Sequence, residues 1–383
     1  MKNIYLDVQP TLGKKTGIGW YTYKIVEKLF KNKKNNYIAG FFNLLGRHKI
    51  EKIEGLYYKE IRYFWPHDRY GGLFSKKIFR WNFISFNKLT GTKSDIYHFF
   101  NFIIPKKIEG KVLVTIHDTI HKETTAGIGF DIDKFDKELI YSLEKSNIVI
   151  TVSNAAKQDI IKHYGKKYAQ KIRVVEPGVD LEEYNYSINS DEKIKILERY
   201  NIKKENEIIF SLGTLQERKN MVSIIKAYNS YKEKNLDSKL VLILAGSPGK
   251  GYEKIMKEYE ESKYKENIRI LHYISEEEKI LLYKLSKIFI FPSLYEGFGM
   301  PIVEAMAAGV PVITSNISSM PEVVGDAAIL VNPYSVDEIT SAITKIIENE
   351  ELEKEMIKKG LEQAKKYTWE NSVKKLEKIY SEL

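Results

Sequence analysis

At 383 residues and 43% hydrophobic content, the chain is long enough for two domains and too apolar to be disordered. It has no cysteine, which excludes disulfides and thiolate-held metal and suits a reducing cytoplasm. The net charge is +10, yet only eight of the 61 basic residues are arginine and no nucleic-acid motif is present, which argues against base reading and leaves attraction to an anionic membrane surface open.

The chain opens on a strand-like run, Ile4–Val8, with no signal-peptide pattern before it. A glycine-rich loop, Gly13–Gly19, leads into an amphipathic run carrying Ile25, Val26, Leu29 and Phe30 on one face. Between 63 and 88 aromatic and basic residues interleave: Phe64, Trp65, Arg69, Tyr70, Phe74, Lys76, Lys77, Phe79, Arg80, Trp81, Phe83 and Phe86. Trp and Tyr favour a membrane interface and nearby cations favour anionic lipid; the helical spacing of Phe79, Phe83 and Phe86 equally suits a core.

Further strands are expected up to Tyr97, just before His98, and over 112–116, 148–152 and 172–175. His117 and Asp118 follow the second of these, at a strand's carboxyl end. Asp131-Ile132-Asp133 spells a D-x-D triplet, but a glycine-containing loop rather than a hydrophobic strand precedes it, so it reads as a helix start. Glu176–Asp180 breaks the pattern, and residues 181–201 read as linker plus a short helix.

A second series of strands begins at Ile208–Leu212 and continues over 240–244, 268–270, 288–290 and 312–313. Strands separated by helices predict parallel sheets in doubly wound domains, with ligands at the strands' carboxyl ends. The most informative stretch is Tyr295-Glu296-Gly297-Phe298-Gly299-Met300-Pro301-Ile302-Val303-Glu304. Pro301 suits a first helical position, and the amides of Gly299, Met300 and Ile302 would converge on one point at a positive helix end, a cradle for phosphate. Glu304, one turn on, would reach a diol beside that phosphate, and Glu296 a sugar beyond it.

Glu296 and Glu304 resemble the E-x7-E signature of retaining glycosyltransferases of family 4, and Gly213 followed by Arg218-Lys219-Asn220 resembles that family's cationic motif. The resemblance spans almost the whole chain and is strongest over 212–333. It implies an α/β protein of the GT-B fold, two Rossmann-like doubly wound domains facing a cleft: residues 1–185 for the acceptor, 186–368 for the nucleotide-sugar donor, and a helix over 369–383 returning to the first. It assigns Arg218 and Lys219 to stabilising the departing diphosphate, in place of a metal, and His117 to the donor sugar. Gly17, Glu296, Gly297, Phe298, Gly299, Met300 and Glu304 join Arg218 and Lys219 around the donor, with the backbone of Ile274 against the base. His98 and Asp118 are acceptor-side candidates, and the loop at Gly17 serves a plain strand-to-helix turn as well.

The resemblance implies a cytoplasmic or peripheral-membrane hexosyltransferase without cofactor or metal. The Thr16–Tyr21 start and the 318–325 run resemble the bacterial mannosyltransferase branch, which favours GDP-mannose over UDP-glucose, UDP-GlcNAc or dTDP-rhamnose and a surface polysaccharide or lipid-linked glycan as acceptor. A nucleotide-sugar 2-epimerase of the same fold and an inactive scaffold are the rival readings.

Overall fold

The computed structural model describes residues 1–13, 15–43, 49–61, 85–123, 131–185 and 188–383. The chain forms two compact units. The first comprises Met1–Thr119, Phe130–Pro177 and Trp369–Leu383, and the second Ile120–Gly129 and Gly178–Thr368.

The first unit is built on seven parallel strands: β1 (Asn3–Asp7), β2 (Asn36–Phe42), β3 (Tyr57–Ile61), β4 (Ile96–Phe99), β5 (Lys111–Thr115), β6 (Ile148–Thr151) and β7 (Ile172–Val174). Their order is β3-β2-β1-β4-β5-β6-β7, so the winding reverses beside β1, where doubly wound folds bind ligands. The core is aromatic. Tyr5 of β1 is fully buried and packs edge-on against Phe86 with ring centroids 5.4 Å apart, alongside Tyr97 and Phe99. Gly40 of β2 is required here, since a Cβ on it would lie 2.0 Å from the Tyr5 hydroxyl oxygen. Phe86, counted above with the interleaved aromatic and basic stretch, is thus a core residue; residues 63–84 of that stretch lie outside the described residues.

The C-terminal helix Trp369–Ser381 completes this unit. It packs along the helix Gly17–Asn32, where Glu370 pairs with Lys28 (2.6 Å) and Trp369 meets Tyr21, and Glu377 pairs with Lys34 just past that helix's end (2.8 Å).

The second unit holds six parallel strands: β8 (Glu207–Leu212), β9 (Leu240–Ala245), β10 (Ile268–Leu271), β11 (Ser286–Phe291), β12 (Val312–Ser315) and β13 (Ala328–Val331). The order is β10-β9-β8-β11-β12-β13, and the reversal falls beside β8. Strands β8, β9 and β11 are buried on both faces, as helix-covered parallel sheets require. The junction lies earlier than the expected 185/186. Residues Gly178–Asn185 go with the second unit because the Tyr184 ring rests on Tyr283 and the Tyr184 carbonyl accepts from Lys284 Nζ at 2.6 Å. Among the described residues no helix is long and apolar enough to cross a membrane.

Candidate active site

At the carboxyl end of β8 the chain runs through Gly213 to a short turn, Glu217–Lys219. Two glycines let the loops after β8 and β9 touch. A Cβ on Gly246 would sit 1.9 Å from the Gly213 carbonyl oxygen, and one on Gly213 would press on the Lys219 side chain at 3.2 Å. The Gly246 turn is therefore a brace for the loop that carries Arg218 and Lys219. Asn220 adopts a left-handed conformation (φ 60°), which asparagine tolerates, and its amide donates to the carbonyls of Pro292 and Pro333. It fastens the cationic turn to the loop after β11.

That loop presents Glu296, the hub of the site. One carboxylate oxygen lies 2.6 Å from Lys219 Nζ and 2.8 Å from Arg218 Nη1, and accepts from Ser293 Oγ at 2.7 Å. Burial alone would raise its pKa, but the two cations outweigh it and hold the group near 2. Lys219 is buried as well, with its ammonium 4.5 Å over the Phe291 ring, and Arg218 also donates to the Tyr295 carbonyl at 2.6 Å. The residues expected to face the diphosphate and the sugar next to it are joined to one another. Ser318 and Ser319 clamp the hub from behind: both hydroxyls donate to the Glu296 carbonyl, and Ser319 also to that of Phe298.

Past Gly297 the chain turns at Gly299 (φ 104°) into the helix Met300–Ala307. Two expectations change here. Pro301 is the second helical residue, not the first, and the Ile302 amide already donates to the Gly299 carbonyl at 3.0 Å. The amides of Gly299 and Met300 have no partner among the described residues and remain available to an anion. Phe298 turns its ring inward against Tyr367, so only its backbone is placed to serve a ligand.

One turn into this helix, Glu304 is held by two residues that the sequence reading did not single out. Lys279 Nζ lies 3.1 Å from one carboxylate oxygen, and the Tyr283 hydroxyl donates to the other at 3.0 Å. Both project from the helix Glu276–Leu285, whose start is fixed by a reciprocal cap between Ser275 and Glu278. Ile274 immediately precedes that cap in the loop after β10, half-buried, next to the exposed Tyr273.

In the first unit, His117 stands at the carboxyl end of β5, nearly buried, with its ring edge-on to Tyr21. Nε2 donates to the Phe100 carbonyl at 2.7 Å, which fixes the tautomer and leaves Nδ1 without a hydrogen-bond partner among the described residues. Burial drives its pKa down to about 4, against the Phe100 contact, so the imidazole is neutral at physiological pH. Asp118 follows in the same loop, half-buried. His98 is corrected. It lies inside β4, fully buried, with Nδ1 2.7 Å from the Tyr380 hydroxyl and Nε2 2.9 Å from that of Thr115. Both nitrogens are spent on the core, so it is no acceptor-side group. Gly17 opens the helix Gly17–Asn32 and is exposed, and a Cβ there would meet nothing within 4 Å; Gly19 is the glycine that packing demands, 2.6 Å from the Pro10 carbonyl oxygen.

Asp131 caps the helix Ile132–Lys145 by accepting from the Lys134 amide, the helix-start role read for the D-x-D triplet. Among the described residues no group of three or more His, Asp or Glu is placed to hold a metal.

Comparison with known proteins decides the family. Residues 192–363 match the model of glycosyl transferases group 1, and residues 45–183 that of glycosyltransferase family 4. The O-antigen chain mannosyltransferase B of Escherichia coli is 31% identical over 280 residues, covering 73% of this chain and 72% of the relative. The chain belongs to the family 4 glycosyltransferases. Among solved structures, a sucrose-phosphate synthase from Thermosynechococcus elongatus superposes with a TM-score of 0.78 at 16% identity, over 100% of this chain and 99% of the other. The Anabaena protein HepE, solved with UDP and glucose, superposes at 0.75 and 17%, over the whole of both chains. At these identities the structures establish the GT-B fold.

Within this glycosyltransferase, Ser293, Lys279 and Tyr283 are members of the candidate site that no motif pointed to. Asn220 and the serine pair at 318–319 stood inside recognised motifs; the fold shows that the serines bond the Glu296 carbonyl and that Asn220 ties the cationic turn to the loop after β11. Lys279 and Tyr283 carried no local signal.

Proposed function

We propose that this glycosyltransferase moves mannose from GDP-mannose to a hydroxyl of a surface polysaccharide or lipid-linked glycan, with retention and without a metal. The observation that carries the donor chemistry is the cluster of Arg218, Lys219 and Glu296 in the second unit, whose loop leads directly into the Met300 helix end. A diphosphate finds four donors there: the Arg218 guanidinium, the Lys219 ammonium, and the amides of Gly299 and Met300. Such fixed donors act where charge develops on the leaving group, the office a metal fills elsewhere.

In this reading Glu304 takes the ribose diol and the loop at Ile274 the base. The Glu296 carboxylate, once its cations turn to the diphosphate, accepts hydrogen bonds from the sugar hydroxyls. His117, neutral and with Nδ1 open, is assigned to the donor sugar. Departure of the nucleotide and attack by the acceptor occur on one face, and the leaving phosphate takes the acceptor proton. Mannose is supported by the Escherichia coli relative and by the Thr16–Tyr21 and 318–325 sequences.

In this reading the enzyme works in the cytoplasm, docked on the inner membrane face by the aromatic and basic residues of 63–84. Salt-sensitive co-sedimentation with anionic vesicles checks that part. A panel of nucleotide sugars, each with and without a lipid-linked acceptor, tests the rest. Free GDP that appears only with acceptor is expected, and NMR of the product gives the anomeric configuration. An epimerised donor without acceptor overturns the reading.

A further inference from the structure

The second unit contains a buried cation that the transfer chemistry above does not use. Lys279 has a side chain only 15% exposed, and its ammonium lies between two carboxylates, 2.7 Å from Glu276 and 3.1 Å from Glu304. Burial alone would depress its pKa, but the two carboxylates outweigh that and keep it above the ordinary lysine range. The Tyr283 hydroxyl, from the next turn of the same helix, lies 3.0 Å from the other Glu304 oxygen and 3.2 Å from the Pro301 carbonyl, and its one hydrogen goes to the carboxylate, the stronger acceptor. Burial together with Glu304 pushes the phenol well above its usual range, so it remains a donor.

The geometry divides the carboxylate. Two carboxylate oxygens offer about four lone-pair positions. Lys279 takes one on Oε1 and Tyr283 one on Oε2, so the plane of the group is fixed from the protein side and one position on each oxygen is left. Two acceptor positions side by side on a locked plane match two adjacent hydroxyls. With a single protein donor the carboxylate turns about its terminal torsion, which is broad and soft, and the match is lost. Lys279 also offsets the negative charge that Glu304 would otherwise set about one helical turn from the amides of Gly299 and Met300, where an anion is to bind.

We infer that Lys279 is a positioning residue for donor recognition, which holds Glu304 in the orientation that reads the vicinal diol of a ribonucleotide. This rests on the assignment of Glu304 to the ribose given above.

The test compares GDP with 2′-deoxy-GDP by calorimetry on wild type and on Glu304→Gln, Lys279→Met and Lys279→Arg, with thermal midpoints recorded for each. Where UDP proves the tighter ligand of the wild type, the uridine pair is used. Wild type is expected to prefer the ribonucleotide by about tenfold, the worth of one charge-assisted hydrogen bond. Glu304→Gln should reduce that ratio; if the ratio is unchanged, Glu304 is not at the ribose and the underlying assignment fails. Given a reduced ratio there, Lys279→Met is expected to bring its own ratio below about threefold, and Lys279→Arg to restore most of it. A role confined to stability lowers both affinities together. A Lys279→Met protein that binds both nucleotides more weakly but keeps the wild-type ratio overturns the inference. Should the methionine variant not fold, Lys279→Gln carries the same comparison.

Discussion

Lys219 Nζ lies 2.6 Å from Glu296 Oε1, so the first carboxylate of the E-x7-E pair is the counter-ion of a cation assigned to the leaving group. The second cation, Arg218, shares the same oxygen at 2.8 Å. Two positive charges meet one negative charge in a nearly buried place. That arrangement keeps the cations ordered without a ligand, in a place where a diphosphate would compete with Glu296 for them.

Glu296→Gln should therefore act in opposite senses on binding and on turnover. The amide retains the shape but no longer competes with phosphate for the cations. Affinity for free GDP or UDP is expected to rise by about tenfold, while turnover falls by about a hundredfold because the sugar loses its carboxylate. Calorimetry and initial rates on one preparation check both. A fall in nucleotide affinity would mean that Glu296 does not compete with the phosphates.

The same substitution has a signature in stability. The folded pKa of Glu296 is held near 2 against an ordinary 4.5. A depressed carboxyl contributes stability that is present above 4.5 and lost as pH falls toward 2. The contribution is on the order of 3 kcal/mol, so Glu296→Gln should unfold more easily than wild type at pH 7 and approach it near pH 2.5. Denaturant titrations at the two pH values measure the difference.

Replacing Lys219 by methionine should cost about 10²–10³ in turnover, the effect of removing one preorganised donor. Activity of the wild type should persist in EDTA. Loss of activity in chelator, restored by Mg²⁺ or Mn²⁺, would show that the cations of the second unit do not stand in for a metal.

The sequence revealed the site where chemistry sits on a contiguous motif, and concealed it where tertiary packing supplies the partner. Glu296, Glu304, Arg218 and Lys219 were legible because their spacing around glycines repeats a known pattern, and β8, β9 and β11 because fully buried parallel strands are continuous apolar runs. Strands β3 and β13 were missed because edge strands are short and half-exposed, as in the Tyr-Tyr-Lys-Glu-Ile of β3. Strand β2 was missed as well; its Gly40 makes room for Tyr5, a contact that only the fold supplies. His98 misled for a related reason: a histidine near a strand's end reads as a site, and its partner Tyr380 lies 282 residues away. Lys279 is one lysine among many until the fold sets it on Glu304.

The first unit has a pH response of its own, carried by Asp7, His98 and His117. Asp7 ends β1 almost completely buried, and burial raises its carboxyl from an ordinary 3.8 to about 7 despite a backbone contact from Gln9. Burial lowers His98 from 6.5 to about 3, with His117 adding to the effect, and lowers His117 to about 4. A raised carboxyl favours the fold below 3.8 and loses that contribution as pH rises to about 7; lowered histidines favour it above 6.5 and lose their contribution as pH falls. Between about pH 4 and 6.5 the unfolded chain binds two protons at the histidines that the folded chain does not, and releases one that Asp7 retains. These three groups together make stability rise with pH by about 1.4 kcal/mol per unit in that window. Asp7→Asn removes the opposing proton, so its slope should exceed that of wild type by the same amount, and near pH 8 the variant should be the more stable by on the order of 4 kcal/mol. Unfolding free energies of both proteins at pH 5, 6 and 8 decide it, because every other titrating group cancels in the difference. Parallel curves would place the Asp7 carboxyl in the ordinary range and in contact with water.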